Sequence, residues 1–296
     1  MRSQDNRLTI AVIYATTGRS DTLKRSVDVL ASQTKLPNKI VISCARQSDA
    51  DGILQSNNVD IIFSDVGLPK QRNFALKYLN NSFDILIFFD DDFIPHTRWI
   101  ENVEKVFTSR SDVACVTGYV IADGIKGPGL AFEEGLSLLK DWKPPSGHQL
   151  EEGYSPYGCN MAFRCAAIKG LYFDEKLPLY GWQEDRDFGA IVASHGGSPV
   201  LLYSAGGVHL GVKSGRTSGV RLGYSQIINP IYLLRKGTMS AKECAIHVTK
   251  NLASNVLFSF YSEPYIDRRG RLRGNIIGMK DFLLGRIDPE QVMRIN

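Results

Sequence analysis

Phe88-Phe89-Asp90-Asp91-Asp92 closes an apolar run that begins at Ile85, and its reading decides the fold. Three consecutive carboxylates repel one another and desolvate badly at the mouth of a strand, so either water solvates them or a cation holds them together. A divalent metal is the simplest such cation. In open α/β sheets ligands bind beyond the carboxyl ends of the strands, which is where these aspartates stand if residues 85–89 form a buried parallel strand. The competing reading is an acidic turn exposed to solvent, and the triplet alone leaves both open.

Upstream, residues 8–14 are nearly all apolar and run into Thr16-Thr17-Gly18-Arg19-Ser20, the pattern of a buried parallel strand ending in a loop. Ser20 or Asp21 is the expected cap of a helix that lays Leu23, Val27 and Leu30 on the sheet and stops before Pro37. Residues 39–43 and 60–63 read as the next two strands. Pro69 suits the first position of a helix carrying Phe74, Leu76, Tyr78 and Leu79. Alternation of strand and helix over about 90 residues predicts a doubly wound sheet with right-handed crossovers, a shape that commonly binds nucleotides at its strand ends.

Downstream, residues 99–107 read as a helix and 113–121 as a strand interrupted at Gly118. Residues 123–157 are rich in Gly, Pro and charge, and read as a mobile excursion over the site or a decorative insertion. A second acidic cluster, Glu184, Asp185 and Asp187, follows Trp182 at the expected start of a helix running to Ser194. Residues 199–203 read as the last strand, with His209 a few residues past it. Beyond Gly211 the chain turns basic, with Lys213, Arg216 and Arg221, then helical stretches at 229–235 and 241–260, then a basic segment at Arg268, Arg269, Arg271 and Arg273.

Among 296 residues 43% are hydrophobic, which suits a globular protein with a sizeable core. A formal charge of +4 fits an anionic substrate or membrane surface and is too weak for a nucleic-acid binder. Five cysteines without Cys-x-x-Cys spacing argue against a disulfide framework or a zinc site, and for a reducing, cytoplasmic compartment. The polar start and the lack of a long apolar run give no expectation of a signal peptide or a membrane span.

Carboxylates at a helix start commonly serve only the helix dipole. Two acidic clusters and a late histidine, however, match a division of labour in which one cluster holds a metal against a pyrophosphate and a lone carboxylate takes a proton from an attacking hydroxyl. From about Leu8 to His209 the chain resembles the inverting glycosyltransferases of family 2, which have the GT-A fold. Residues 10–17 with Leu23-Lys24-Arg25-Ser26 and Ala31-Ser32-Gln33-Thr34 are similar to the first strand and helix of that family. Gly67-Leu68-Pro69-Lys70-Gln71-Arg72-Asn73 is similar to its G-x-x-x-A-R-N motif, and residues 88–95 to its D-x-D segment with a downstream proline. Residues 158–164 are similar to its G-x-N-x-A-x-R stretch and Glu184-Asp185-Arg186-Asp187 to its E-D-x-D segment. Each motif is weak alone; five in the right order are specific.

The resemblance implies a Rossmann-like, mostly parallel sheet with helices on both faces. Residues 1–210 would form the catalytic domain, with a nucleotide-sugar half at about 1–120 and an acceptor half at about 150–210, and residues 211–296 a mainly helical, basic extension. It implies Asp92 and Asp90 as metal ligands for Mn²⁺ or Mg²⁺, His209 as a third, and Asp185 as general base with Glu184 its rival. Thr17, Arg19, Arg72, Asn73, Asp90 and Asp91 would serve the nucleotide donor, although Asp91 reads as structural or solvent-facing. Asn160 and Trp182 would shape the sugar pocket, while Lys213 and Arg216 read as diphosphate-neutralising or as solvated charge. One departure stands out: where the family usually has D-D-G-S after the second strand, this chain has Ser43-Cys44-Ala45-Arg46-Gln47, which leaves the nucleobase of the expected UDP-sugar-type donor open. No Q-x-x-R-W motif is present, so single rather than processive addition to a saccharide acceptor in cell-surface polysaccharide assembly is expected, with peripheral contact at the inner membrane face through the basic C-terminal region. The rival readings are a sugar-nucleotide pyrophosphorylase-like nucleotidyltransferase and a non-catalytic sugar-nucleotide-binding protein.

Overall fold

The computed structural model describes residues 8–147, 149–214, 217–261 and 263–295; Arg216 and the polar N-terminal residues fall outside this set. Strand β1 (Ile10–Thr16), helix α1 (Ser20–Leu30), β2 (Lys39–Cys44), β3 (Val59–Phe63), α2 (Leu68–Leu79) and β4 (Ile85–Asp90) form the expected alternating unit. All pairings among these four strands are parallel, with β1 between β2 and β4. Next come β5 (Phe93–Pro95), α3 (Trp99–Ser109), β6 (Val113–Asp123), α4 (Phe132–Asp141), β7 (Leu150–Glu152), β8 (Asn160–Arg164), α5 (Glu184–Ser194) and β9 (Ser198–His209). They extend one sheet in the order β3-β2-β1-β4-β8-β6-β9-β5, with β7 against the first half of β9.

Period-two alternation sorts the core onto the two sheet faces. Ile10, Val12, Tyr14, Ile87 and Phe89 pack with Leu23, Leu30, Trp99 and Val103 from α1 and α3. Ala11, Ile13, Leu86 and Phe88 pack on the other side with Ala75, Leu79, Phe188 and Val192 from α2 and α5. Both faces are therefore covered, as continuous apolar strands require.

The structure departs from the sequence reading in instructive places. The N-cap of α1 is Arg19, which makes no side-chain cap bond, rather than Ser20 or Asp21. In α2 the proline follows Leu68, and the buried positions include Gln71, Arg72 and Asn73, while Phe74 and Tyr78 are exposed. The polar face turns inward because it has buried partners: Gln71 Nε2 donates to the carbonyls of Thr16 (2.7 Å) and Ser43 (3.0 Å). The strand through Gly118 continues with register shifts instead of breaking. Residues 123–157 contain α4 and β7 and are not a bare loop. The last strand runs to His209 itself, because its second half pairs with β5.

Three helices close the chain: α6 (Gly219–Lys236), α7 (Ala241–Phe258) and α8 (Arg268–Leu283). Pro230 lies inside α6, not at its start; burial of Tyr224, Ile227, Ile228 and Leu233 outweighs the proline's helix-breaking cost. The basic segment at Arg268 is a helix that hydrophobic periodicity did not reveal. It approaches α6 at glycines on both sides, since a Cβ on Gly274 would sit 2.0 Å from the Val220 carbonyl oxygen and one on Gly223 2.0 Å from that of Arg271. Buried amides stitch the three helices together: Asn255 Nδ2 donates to Gln226 and Asn275 (2.8 Å each), and Asn275 donates to the Gly223 carbonyl (2.7 Å). Among the described residues no helix is long and apolar enough to cross a membrane.

Candidate active site

The acidic triplet at the end of β4 points in different directions. Asp91, of the same parity as Phe89, turns into the core beneath α1, where Thr16 Oγ1 donates to it (2.7 Å) and Arg19 pairs with it at 3.0 Å. It is fully buried, so the solvent-facing reading of Asp91 is corrected and its contacts are structural. Burial pushes its carboxyl up to about 7, with Arg19 opposing and Asp92 adding to the rise.

Asp90 and Asp92 face His209. The antiparallel register of β5 and β9 sets Phe93 opposite His209 and so delivers the imidazole beside Asp92, Nε2 to Oδ1 3.5 Å. One ligand atom from each of Asp90, Asp92 and His209 lies within 4.8 Å of the others. Asp123, at the end of β6, accepts from His209 Nδ1 at 2.9 Å and fixes the ring with Nε2 toward the aspartates. A carboxylate–imidazole pair of this kind commonly stands behind a metal ligand. Burial disfavours charge on all three groups, and their partners answer it differently. His209 and Arg19 outweigh burial at Asp92 and hold its carboxyl at about 2. Asp123 and Asp92 do the same for His209, raising it to about 10. At Asp90 burial prevails over Arg72, and the carboxyl is raised. Two carboxylate oxygens and an oriented imidazole nitrogen fit a divalent cation such as Mn²⁺ or Mg²⁺.

Arg72 organises the space between the two acidic clusters. It is fully buried, pairs with Glu184, and donates to Asp90 Oδ1 (3.2 Å) and the Gly158 carbonyl (2.9 Å). Burial pushes Glu184 up to about 8 against the pull of Arg72. We predict that Arg72→Met destabilises the protein by about 3–5 kcal/mol in urea unfolding, because it leaves Glu184, Asp90 and the Gly158 carbonyl without their buried partner, and that Arg72→Met/Glu184→Leu regains part of the loss. A change within about 0.5 kcal/mol for the single variant would contradict the pairing.

Asp185, one residue on, has no such ion pair among the described residues. Its Oδ2 accepts from Gly158 N–H and its Oδ1 from Arg186 N–H, both at 2.7 Å, so backbone groups aim the carboxylate into the cavity. The glycine matters here, since a Cβ on Gly158 would lie 3.1 Å from Asp185 Oδ2. Gln183, in the left-handed region at φ 72°, turns the chain into α5 so that Glu184 goes inward and Asp185 toward the opening. Asp187 is buried on Lys236 and Thr238 (2.6 Å each) and anchors the end of α6.

A cavity of about 840 Å³ reaches from Asp90, Glu184 and Asp185 to α7 and α8, and Trp182 lines it. Other sequence-predicted residues lie elsewhere. Asn73 spends its amide on Phe173 and Glu175 (2.8–2.9 Å), so the structure corrects its reading as a donor contact to that of a tether for residues 173–175. Asn160 is fully buried in β8 behind the cavity wall, with Nδ2 on Cys159 Sγ (3.3 Å), and does not line the pocket it was expected to shape. Thr17 is half-buried on the loop after β1, and Arg19 is turned onto Asp91 and Asp92. Lys213 donates to the Gly124 and Ile125 carbonyls, 2.9 and 3.0 Å. Sequence reasoning missed Asp123 and Tyr157, which back His209; a lone aspartate ending a long apolar strand was the available signal.

Comparison with known proteins identifies the fold and the family. The chain is similar in fold to three solved structures: Staphylococcus aureus TarS 1–349 in complex with UDP (16% identity, TM-score 0.53, 86% of this chain and 73% of that one), the mannosyltransferase PcManGT from Pyrobaculum calidifontis in complex with GDP-Man and Mn²⁺ (13%, 0.56, 94% and 88%), and GalNAc-T7 with UDP, GalNAc and Mn²⁺ (15%, 0.54, 88% and 59%). At these identities the likeness establishes the GT-A fold. No curated protein sequence matches the chain. The profile described as glycosyl transferase family 2 matches residues 11–171, more than half of the chain, and the protein belongs to that family of glycosyltransferases.

Proposed function

We propose that the protein is a metal-dependent, inverting glycosyltransferase that moves one sugar from a nucleoside-diphosphate donor to a saccharide acceptor. The observation that carries this reading is the convergence of Asp90, Asp92 and His209, of which Asp90 lines a cavity whose wall also presents Asp185. A divalent cation on the first three would neutralise charge developing on the leaving diphosphate. Asp185 accepts the proton of the acceptor hydroxyl as that oxygen attacks the anomeric carbon from the side opposite the leaving group. Glu184, committed to Arg72 and buried, is a positioning residue: the pair sets Asp90 and the Gly158 turn that in turn holds Asp185. Trp182 offers an apolar wall to a sugar ring.

Residues 1–210 would carry the chemistry, with the donor over the first half and the acceptor over residues 150–210, and the helices from 211 onward would extend the acceptor side. Exposed Phe260 and Ile276 beside Arg269 and Arg273 support peripheral contact with an anionic membrane surface, as in assembly of cell-surface polysaccharide. Solved structures of similar fold hold UDP in one case and GDP-Man in another, so both bases belong in the screen. Thermal denaturation with a panel of nucleoside diphosphates tests the reading. We expect one of them to raise the melting temperature only with Mn²⁺ or Mg²⁺ present, by an amount equivalent to about 2.7 kcal/mol at about 100 Kd. Equal stabilisation with and without the metal would argue against metal-dependent donor binding.

A further inference from the structure

We infer that Asn229, buried in α6, is a positioning residue for Asp185: its amide holds the peptide ahead of Gln183 in the orientation that aims the carboxylate into the cavity. The role of Asp185 as base rests on the transferase reading above; the bonds that place it do not. The segment leading to Asp185 is wound against backbone preference. Leu179 at φ 60° and Gln183 at φ 72° both lie in the left-handed region, with Gly181 at φ 62° between them. Residues with side chains rarely adopt this conformation, and it persists only where the surroundings over-determine it. Rotation of the 182–183 peptide would return Gln183 to negative φ and alter the entry into α5 on which the aim of Asp185 depends.

The tie that opposes this rotation comes from α6. Asn229 Nδ2 donates to the Trp182 carbonyl at 2.9 Å, and that carbonyl belongs to the 182–183 peptide itself. Asn229 is 2% exposed, and its side-chain oxygen has no hydrogen-bond partner among the described residues. A buried amide with its oxygen unpaired costs stability, so this side chain serves the turn more than it serves its own helix. Beyond Asp185 the C-terminal helices hold α5 as well: Arg186 pairs with Glu243 of α7, and Asp187 accepts from Lys236 and Thr238 (2.6 Å each). The hydrogen bonds of Asp185 itself go to the backbone at Gly158 and Arg186, so the helices act on it through the residues on either side. Of these ties, Asn229 is the one placed on the strained peptide.

The Gly158 amide reports the outcome. Its N–H bond to Asp185 Oδ2 at 2.7 Å is charge-assisted, which moves the amide proton downfield by an amount that depends on where that oxygen sits. NMR of the full, isotope-labelled chain carrying Asp185→Ala gives the position of this resonance without the carboxylate. Asn229→Leu roughly conserves volume and removes the donor to Trp182. It should carry the Gly158 amide proton at least about halfway to its Asp185→Ala position, although the bond it deletes is to residue 182, while the amides of β1 to β3 stay in place. Should Asn229→Leu fail to fold, Asn229→Ser decides, since its hydroxyl is too short to replace the amide, and the same displacement is expected. An unmoved Gly158 amide in a folded variant would overturn the inference. So would displacements spread through β1 to β3, or failure of both variants to fold, either of which would make Asn229 a support of the whole fold. The Mn²⁺-dependent thermal shift with UDP and with GDP is measured on the same samples. Its absence from the unmodified chain counts against the transferase reading and leaves the Gly158 response standing, whereas its presence beside an unmoved Gly158 amide counts against the positioning role alone.

Discussion

Asp92→Ala is expected to lower sugar transfer by about a thousandfold or more while the chain remains folded. Asp92 is the point where the two halves of the candidate metal site meet. Its Oδ1 faces His209 Nε2 at 3.5 Å, while its Oδ2 accepts from Val212 N–H at 2.8 Å and Arg19 at 3.3 Å. The alanine variant removes one of three ligand groups and leaves Arg19 with Asp91 alone, so the remaining site is less acidic as well as incomplete. Its fold is protected because Leu210 N–H donates to the Asp92 main-chain carbonyl at 2.9 Å, a bond the substitution does not touch. The same variant should lose the metal-dependent part of the nucleoside diphosphate thermal shift. Near-normal turnover in a folded Asp92→Ala protein would remove the acidic cluster from the mechanism.

Asp185→Asn is expected to reduce kcat by about 10²–10⁴-fold with little change in metal-dependent donor binding. Asparagine keeps the shape and an oxygen to accept from Gly158 N–H, so the turn at residue 158 survives, but it cannot take up a proton. Steady-state kinetics together with donor titration separate the chemical step from binding. Glu184→Gln supplies the contrast: it weakens the pairing with Arg72 and so acts on stability and on placement of Asp90 more than on proton removal. A larger fall in kcat for Glu184→Gln than for Asp185→Asn, with both proteins equally stable, would exchange the two assignments.

The first four strands and the helices between them were legible because buried parallel strands are written as short, continuous apolar runs that pattern alone can find. The triplet at Asp90 was legible as a site for the opposite reason, since three carboxylates beside such a run conflict with burial. What the sequence concealed was the commitment of polar groups to one another. Arg72 and Asn73 look alike as helix residues near a nucleotide motif. Only the packed structure shows Arg72 joining Asp90 to Glu184 while Asn73 ties down Phe173. Asp123 and His209 lie 86 residues apart, and their pairing follows from the register of β6 with β9, a long-range fact that local periodicity does not contain. Helix α8 was hidden because its glycines and arginines serve close packing on α6 and the cavity wall, not an amphipathic stripe.

A single in-line displacement, with Asp185 taking the acceptor proton, fixes the stereochemistry of the product. With the nucleotide identified by thermal shift, proton NMR of the glycoside formed from the corresponding α-linked sugar donor reads the configuration of the new anomeric centre. A β-linked product is expected; an α-linked product would exclude single displacement and with it the role of Asp185 as general base.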